Sequence, residues 1–381
     1  MKVLVTGGAG FLGTALVTRL ADFSNVVVID ALDPQVHRAG KFSPELSAGA
    51  RCIVGDVRTR STYPTDLGAI DVVVHLAAQT GTAQSMYELS RYTSHNVGGT
   101  AALLEWLTES HVAPTRIILA SSRAVYGDGV YRSADGLIPA TRTLGDLRSG
   151  VWDPIDRAGR VALTLPMRWG QPTVPTSVYG LTKLWQEQLV ESVCVARGID
   201  YSILRFQNVF GPGQTIDNPY TGVIGYLTGS ISAGHEVELF EDGLMTRDFV
   251  FVDDAARALE AAVKQPGRTG ATVDVGSGVA TTLKDLASMI GRISGRPARA
   301  RISGRFRTGD VRHAVADRSA FDETFGPLAC TPLEIGLERY YEWFRAQGPY
   351  ELDRHHQSLR ELQDRGLLQS ARDRSRSERT A

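Results

Sequence analysis

A tyrosine and a lysine four positions apart are the side chains of this sequence whose types and spacing best suit proton transfer. Tyr179 and Lys183 lie in the stretch "SVYGLTK", and residues four apart on a helix share one face. A lysine ammonium near a phenol favours the phenolate and lowers the phenol pKa from its free value of about 10. The pair predicts a tyrosine that acts as general base and acid, although the same spacing arises by chance in many helices.

Hydroxyl groups follow a buried strand in "ILASSRAVYGDG", residues 117–128. The apolar run Ile117–Ala120 predicts the end of a strand, and Ser121 and Ser122 come directly after it. A serine hydroxyl at such a place can hold a substrate oxygen and share the proton of the tyrosine. We interpret Ser121 as structural.

Three glycines near the N-terminus have the spacing of a dinucleotide-binding turn. In "VLVTGGAGFLG", Gly7, Gly10 and Gly13 follow a short apolar strand and open a helix. Glycine permits the tight turn and the approach of the backbone to a pyrophosphate, and the helix N-terminus offers free N–H groups. An ordinary strand–turn–helix is the less favoured alternative for these glycines taken alone.

A carboxylate at the end of the second strand favours the cofactor interpretation. Asp30 stands about 20 residues after the glycines, where it can accept hydrogen bonds from both ribose hydroxyls and would repel a 2′-phosphate. NAD is therefore the expected cofactor, rather than NADP. The residues predicted to line the NAD site, besides Tyr179 and Lys183, are Gly7, Gly10, Phe11, Leu12, Gly13, Asp30, Asp56, Val57, Leu76, Ala77, Ala78 and Asn96.

Alternating strand and helix patterns must position these side chains. Short apolar strands alternate with helical spacing through the first half of the chain, which predicts an α/β fold: a Rossmann-type, doubly wound parallel sheet. After Gly211 short strands mix with helices, which predicts a smaller C-terminal α+β lobe for substrate binding. The predicted units are a NAD-binding domain over 1–210 with an inserted loop over 128–176, a substrate-binding lobe over 211–348, and a disordered tail over 349–381.

Composition excludes several classes of function. The formal charge of −1 provides no overall field that would attract nucleic acid or an acidic membrane, and no apolar run approaches the ~20 residues that span a bilayer. Cys52, Cys194 and Cys330 are far apart and show no metal-type spacing. We expect no bound metal, no nucleic-acid or membrane partner, and a cytoplasmic protein.

Seven stretches of residues 1–345 resemble, in order, the landmarks of the extended short-chain dehydrogenase/reductase family, in its nucleotide-sugar epimerase/dehydratase branch. They are "TGGAGFLG", "HLAAQ", "NVGGT", "SSRAVYG", "YGLTK", "RFQNVFGPG" and "TRDFVFVDD". The resemblance implies that Ser122 is the catalytic hydroxyl, Tyr179 the base and acid, and Lys183 its partner. It also implies a nucleotide-diphosphate sugar substrate and a homodimer formed through helices near 86–111 and 178–197. The resemblance implies that Asn208, Arg247 and Arg307 contact the diphosphate of the substrate. Phe240 fits either a stack on the base or a core position, and Arg123 fits either a contact with substrate or a brace for the loop. With Ser122, these are the predicted substrate-binding residues.

The residues after Ser122 bear on which reaction of the family is expected. Dehydratases of this family carry Asp-Glu there, whereas this chain has Arg123 and Ala124; alanine moves no proton and arginine is always charged. Dehydration across C5–C6 is disfavoured, and the resemblance implies a 4-epimerase that oxidises C4 transiently and returns hydride to the opposite face. A dTDP-L-rhamnose-like or UDP-glucose-like hexose is the expected substrate. The alternatives are a 4-keto-sugar reductase and, less favoured, a 4,6-dehydratase or a non-catalytic NAD-binding protein.

Overall fold

A parallel sheet of seven strands organises the chain in this computed structural model, which describes residues 1–371 except 110, 111, 113, 135, 140, 141, 217–221, 266–269 and 349. Its strands run across the sheet in the order β7-β6-β5-β4-β1-β2-β3, and all neighbours are parallel. The strand order reverses between β1 and β4, and ligands of such sheets bind outside the carboxyl ends of the strands at that point. The strands are β1 (Lys2–Thr6), β2 (Asn25–Asp30), β3 (Arg51–Val54), β4 (Val72–His75), β5 (Arg116–Ser122), β6 (Asp200–Phe206) and β7 (Ala271–Val275).

Helices cover both faces of this sheet, which confirms the predicted fold class. In β1 the side chains of Val3 and Val5 enter one apolar cluster and that of Leu4 enters the other, because successive strand residues point to opposite faces. Both faces are buried, so the strand is apolar throughout rather than alternating. The main covering helices are α1 (Phe11–Leu20), α2 (Gly99–Glu109), α3 (Val178–Arg197) and α4 (Val252–Lys264). Shorter helical segments before β5 are Pro44–Gly49, Arg60–Thr62, Thr82–Ser85, Leu89–Tyr92 and the π-helical turn Thr93–Gly98.

The long insertion is an ordered subdomain, which differs from the inserted loop predicted over 128–176. Its strand Val130–Ser133 pairs antiparallel with both Gly136–Pro139 and Leu163–Thr164. The helix Leu144–Arg148 follows and begins with a capping box at Thr143. Hairpin pairing satisfies backbone groups that an irregular loop would leave to solvent. The Pro- and Gly-rich composition of the insertion did not indicate these strands.

The boundary predicted at residue 210 also differs from the structure. Strand β7 and helix α4 both follow that residue. Nevertheless β7 is a strand of the central sheet, and α4 packs against a face of that sheet. A short apolar strand carries no local signal of which sheet it joins. The smaller lobe is built from the helices Val223–Ser232, Leu283–Ser294 and Leu333–Arg345 and the strands Asn208–Phe210, Val237–Leu239, Thr246–Phe251, Ala280–Thr282, Ala300–Ile302 and Arg305–Arg307. One further helix, Ser319–Phe325, packs against β7.

The C-terminal segment differs from the disordered tail predicted over 349–381. A helix spans Leu352–Asp364, and the strand Leu368–Ser370 pairs antiparallel with Arg305–Arg307. Leu362 and Leu368 are only 2% and 3% exposed. Their burial provides an apolar contact that the polar composition of this segment did not predict. Residues 372–381 of the predicted tail lie outside the described residues.

A search of the described residues for membrane-crossing helices found none that combines the necessary length with the necessary apolar character. The same described residues contain no cluster of His, Cys, Asp and Glu side chains suited to holding a metal ion.

Candidate active site

A cavity at the carboxyl ends of the central strands brings together most of the predicted site residues. Its walls come from the glycine turn after β1, the ends of β2, β4 and β5, and the first turns of α3. Predicted residues in these walls are Gly7, Gly10, Phe11, Leu12, Gly13, Asp30, Asp56, Val57, Leu76, Ala77, Ala78, Ser122, Arg123, Tyr179, Lys183 and Asn208. The walls do not include the predicted residues Asn96, Phe240, Arg247 and Arg307.

The glycine turn lies so close to the end of β4 that side chains are excluded. Gly7 has a φ of 71°, and a Cβ atom there would lie 2.6 Å from the backbone nitrogen of Ala77. A Cβ atom at Gly13 would lie 2.6 Å from the carbonyl oxygen of Gly7. This bare backbone at the N-terminus of α1 is the kind of cradle into which a pyrophosphate fits.

Asp30 is held rigidly beside that cradle. One carboxylate oxygen accepts a hydrogen bond from the Ala9 N–H at 3.0 Å, and the other accepts one from the Leu32 N–H at 2.8 Å. The carboxylate lines the cavity at the end of β2. Farther along the wall, Asp56 is paired with Arg58 at 2.6 Å. The fixed carboxylate of Asp30 suits ribose hydroxyls as an acceptor.

Tyr179, in the first turn of α3, and Ser122, at the end of β5, both line the cavity. The cap of α3 sets this geometry, because the Ser177 side chain accepts a hydrogen bond from the Gly180 N–H and fixes where the helix begins. Burial raises the pKa of Tyr179, while its hydrogen bond with Ser122 and the positive charge of Arg123 oppose that rise. The phenol is therefore hydrogen-bonded to the strand-end serine and faces a cation.

Lys183 is buried one turn farther along α3. Its Nζ donates a hydrogen bond to the Ala120 carbonyl oxygen at 2.9 Å. Burial lowers the pKa of this ammonium to about 8, although the carboxylate of Glu187 opposes the fall. The effect of Lys183 on the pKa of Tyr179 stays a prediction, and Arg123 is a further cation whose charge opposes the rise in that pKa.

A buried polar chain that sequence reasoning missed supports the strand end. Ser121 donates a hydrogen bond to Glu187, which accepts two from Arg205 at 2.9 and 2.6 Å. Arg205 also donates to the Tyr126 hydroxyl at 2.8 Å, and that hydroxyl donates to Asp274 at 2.9 Å. This agrees with a structural role for Ser121. In the sequence, the only indication of this chain of hydrogen bonds was Glu187, which stands one helical turn after Lys183.

Asn96 occupies a different place from the one predicted. It is fully buried in the π-helical turn, and its amide is committed to neighbouring protein atoms. The side-chain oxygen accepts from the Gln79 N–H at 2.7 Å, and the side-chain nitrogen donates to the Gln79 carbonyl at 3.1 Å and to Thr182 at 2.9 Å. The structure therefore corrects its predicted role from cofactor contact to brace, because both amide ends already have partners.

A second group of predicted residues forms an arginine cluster around Asp310. Arg247 lies 3.0 Å and Arg307 lies 3.1 Å from its carboxylate, and the Arg307 guanidinium is 5.1 Å from the ring centroid of Phe240. Burial alone would raise the pKa of Asp310, but the surrounding arginines lower it to about 2. Asp310 was missed as a site residue because only the tertiary structure surrounds it with cations.

Asn208 lies in the cavity wall and holds Arg123. Its side-chain oxygen accepts a hydrogen bond from Arg123 Nε at 3.0 Å. Arg247 and Asp310 of the arginine cluster also act electrostatically on Arg123. Arg123 therefore connects the Tyr179 side of the cavity to the arginine cluster.

Comparisons with known proteins give a consistent result. The family model described as "NAD dependent epimerase/dehydratase family" matches residues 3–143 and 166–276. A dTDP-L-rhamnose 4-epimerase of Burkholderia thailandensis is 40% identical over 358 residues, which cover 93% of this chain and 96% of that protein.

Solved structures of similar fold point the same way. The crystal structure of UDP-glucuronic acid 4-epimerase from Bacillus cereus, in complex with UDP-glucuronic acid and NAD, has a TM-score of 0.74 and 26% identity, and covers 91% of this chain and 100% of that one. That of UDP-glucose 4-epimerase from Thermotoga maritima, with UDP-glucose, has a TM-score of 0.72 and 27% identity, and covers 91% of this chain and 99% of that one.

Proposed function

Because the chain belongs to the NAD-dependent epimerase/dehydratase family, we propose that it is a nucleotide-sugar 4-epimerase that acts on a dTDP- or UDP-hexose. The observation that carries the proposal is one cavity whose walls contain Ser122, Tyr179 and Lys183 together with the glycine cradle. The 40% identity with a dTDP-L-rhamnose 4-epimerase supports a dTDP-L-rhamnose-like substrate first and a UDP-glucose-like one second.

NAD fits the residues at one end of the cavity. The backbone of Gly7 and Gly13 leaves no room for a Cβ atom, as a pyrophosphate cradle requires, and Asp30 presents a fixed carboxylate to a ribose. A 2′-phosphate would meet that negative charge, so the unphosphorylated dinucleotide is favoured. When bound, NAD supplies the hydride acceptor and donor for the sugar C4.

The proton is handled by the residues at the other end of the cavity. Tyr179 takes the proton of the C4 hydroxyl on its phenolic oxygen and gives it back after the face of the sugar has changed. Ser122, hydrogen-bonded to that phenol, holds the same sugar oxygen. Lys183 donates to the Ala120 carbonyl at 2.9 Å, which fixes its charge in the wall of the cavity.

The arginine cluster supports binding of the nucleotide diphosphate. Arg247, which is buried, and Arg307, which is partly exposed, each contact Asp310, so two guanidiniums share this carboxylate. Guanidinium groups bind phosphate oxygens with two parallel hydrogen bonds. Phe240, beside Arg307, is proposed to contact the base.

Arg123 and Ala124 argue against the dehydratases of the family. Elimination of water from C5–C6 needs a further acid and base near the sugar. Arg123 is hydrogen-bonded to Asn208 and Ala124 is buried, and neither side chain exchanges a proton near neutral pH. Reversible oxidation at C4 needs no residue beyond those already placed in the cavity.

The proposal is tested by NMR of purified protein with dTDP-L-rhamnose, and separately with UDP-glucose, without added cofactor. We expect the C4 epimer of one of them to appear with no net change in NADH absorbance. If the protein instead converts only a 4-keto sugar, and only when reduced cofactor is added and consumed in equal amount, it is a reductase. Tyr179→Phe should lower the rate by about a hundredfold or more, and unchanged turnover in that variant would contradict the assignment of the base.

We also propose a homodimer formed through α3 and the helical segments before β5. Trp185 and Val195 are 39% and 67% exposed on α3, and Leu89 is 51% exposed on the helix Leu89–Tyr92, so both elements offer apolar side chains that a second copy could cover. Light scattering should give the mass of two chains, and Trp185→Glu should give that of one. A wild-type protein with the mass of one chain would contradict the dimer.

A cytoplasmic location is proposed on the cysteine chemistry. Cys52, Cys194 and Cys330 are all free thiols, which suits a reducing compartment. Fractionation of cells that express the tagged chain should recover it with cytoplasmic markers, and recovery from a secreted fraction would overturn the proposal.

A further inference from the structure

Arg123 has a hydrogen-bonding group that nothing in the described structure uses. The residue begins the helical turn Arg123–Tyr126 directly after β5, and its side chain lines the same cavity as Ser122 and Tyr179. Its Nε is anchored on Asn208 at 3.0 Å, whereas its Nη1 is buried and has no hydrogen-bond partner among the described residues. Burying an N–H without an acceptor is costly, so the site is built for an acceptor that the protein does not itself provide.

The charges around Arg123 also favour a negative partner. Arg247 is close enough to oppose its charge, and together with burial it lowers the pKa of Arg123 to about 9, which leaves the guanidinium cationic at neutral pH. The negative charges of Asp310 and Asp248 oppose this fall, and so would a phenolate at Tyr179. An anion formed in the cavity would therefore be stabilised by this cation.

Tyr179 is the group in which such an anion forms. It is packed against Tyr92 from the helix Leu89–Tyr92, with ring centroids 6.4 Å apart, and it shares α3 with Lys183. Tyr92 brings no positive charge, and Lys183 directs Nζ at the Ala120 carbonyl. Arg123, from the end of β5, lines the same cavity as Tyr179, and its positive charge favours the ionised form of Tyr179.

We propose that Arg123 is a second cation of the catalytic centre: it stabilises the Tyr179 phenolate and, through Nη1, donates a hydrogen bond to the sugar oxygen that Tyr179 deprotonates. Arg123 thereby stabilises the negative charge on the Tyr179 oxygen and on the sugar oxygen alike, while the proton moves between them. The part that concerns the sugar rests on the proposed 4-epimerase function, whereas the pairing of Arg123 with Tyr179 does not.

The first test is the pH profile of kcat/KM for the holoenzyme and for Arg123→Gln, Arg123→Met and Arg123→Lys. Removing the cation should move the acidic limb of the profile up by about one pH unit, which is about a tenfold loss at neutral pH that is recovered in alkaline buffer. Arg123→Lys should restore most of the neutral activity. Arg19→Gln is the matched control, because it removes a partly exposed arginine paired with Glu260 on the far end of α1.

The second test needs no turnover. Ultraviolet titration of tyrosinate in the NAD-loaded protein, with the Tyr179→Phe curve subtracted, reports the ionisation of Tyr179 alone. The midpoint should rise in Arg123→Gln and in Arg123→Met, and return toward the wild-type value in Arg123→Lys. Two neutral variants are used so that poor folding of one does not decide the result.

The outcomes separate the two proposals. An inactive wild-type protein with the expected midpoint change would refute the 4-epimerase function and leave the Arg123–Tyr179 pairing standing. An active enzyme whose neutral variants lose activity equally at every pH, with an unchanged Tyr179 midpoint, would overturn the proposal and reduce Arg123 to a brace for Asn208.

Discussion

At the scale of single residues, the site shows how one strand end can hold several chemical groups with separate tasks. Ser121 turns away to the buried Glu187, while Ser122 meets Tyr179 in the cavity. Adjacent strand residues point to opposite faces, so the two hydroxyls have different partners. This alternation, rather than any difference in chemistry, distinguishes the serine proposed to be catalytic from the one that braces Glu187.

Asp30 permits a sharp test of cofactor choice. In Asp30→Asn the side-chain oxygen can still accept from a backbone N–H, but the negative charge is lost. Hydrogen bonds to a charged group are worth roughly 1.5–3 kcal/mol, so the affinity for NAD should fall by about tenfold or more. NADP should lose less, because its 2′-phosphate is no longer repelled. Calorimetric titration of both dinucleotides into cofactor-free protein measures the two changes.

The control for this experiment is Asp22→Asn, at an exposed position after α1. It removes the same charge and should leave both dinucleotide affinities unchanged. An equal loss of NAD affinity in the two variants, or no loss in Asp30→Asn, would contradict the ribose contact.

At the scale of elements, the inserted subdomain is fastened to the smaller lobe by buried ion pairs. Arg142 is 3% exposed and lies 2.6 Å from Glu241 and 3.3 Å from Asp128. It also donates to the carbonyl oxygen of Asp310, the residue at the centre of the arginine cluster. The insertion therefore helps to hold the proposed diphosphate site in place.

Replacing Arg142 with methionine should be strongly destabilising. Arg142→Met takes a cation away from two buried carboxylates, Glu241 and Asp128, and leaves Glu241 paired with Arg312 at 3.0 Å. Removing one partner of a buried ion pair costs up to about 3–5 kcal/mol of unfolding free energy. Burial raises the pKa of Glu241, and the Arg142 cation opposes that rise. In Arg142→Met the folded state should therefore bind a proton more readily than the unfolded state, so the variant should regain stability as pH falls. Urea unfolding at several pH values measures both effects.

An exposed ion pair supplies the comparison. Arg292 and Glu334 are 3.1 Å apart, with side chains 60% and 51% exposed, so Arg292→Met should cost less than about 1 kcal/mol. Similar losses in Arg142→Met and Arg292→Met would show that the buried pairs do not fasten the insertion.

At the scale of the whole molecule, the C-terminal segment bridges the two halves of the chain. From the helix Leu352–Asp364, Glu361 accepts a hydrogen bond from Tyr87 of the first domain at 3.3 Å. On the same helix, His355 stacks on Tyr226 of the smaller lobe with ring centroids 3.9 Å apart. The strand Leu368–Ser370 then pairs with the strand that carries Arg307. The segment thus supports both the relative placement of the two parts and one edge of the arginine cluster.

Truncation after residue 348 should therefore affect stability and nucleotide binding together. The buried side chains of Leu362 and Leu368 would be lost, at about 1.5–3 kcal/mol each, and the strand that carries Arg307 would lose its partner. Urea unfolding and titration with dTDP or UDP should show lower stability and weaker nucleotide binding, with a smaller change for NAD. A chain ending at residue 371 keeps all of these contacts and is the control; equal behaviour of the two chains would refute the bridge.

The sequence alone determined what depends on short spacings. The glycine turn, Asp30 at the end of a strand, and Tyr179 one turn before Lys183 follow from local periodicity and backbone geometry, and these residues line one cavity. The stretches that contain these residues also carry the resemblance from which the family of the chain was predicted. Each of these features involves residues whose relation along one strand or helix is fixed by its geometry.

Only the tertiary structure decided which residues share an environment across the chain. Asp310 among arginines, Asn208 holding Arg123, Asn96 as a brace, and the ordered residues 352–370 all depend on contacts between distant segments. Such contacts have no period in the sequence, because they are selected by the packing of whole elements and by the cost of leaving buried charges and N–H groups unpaired.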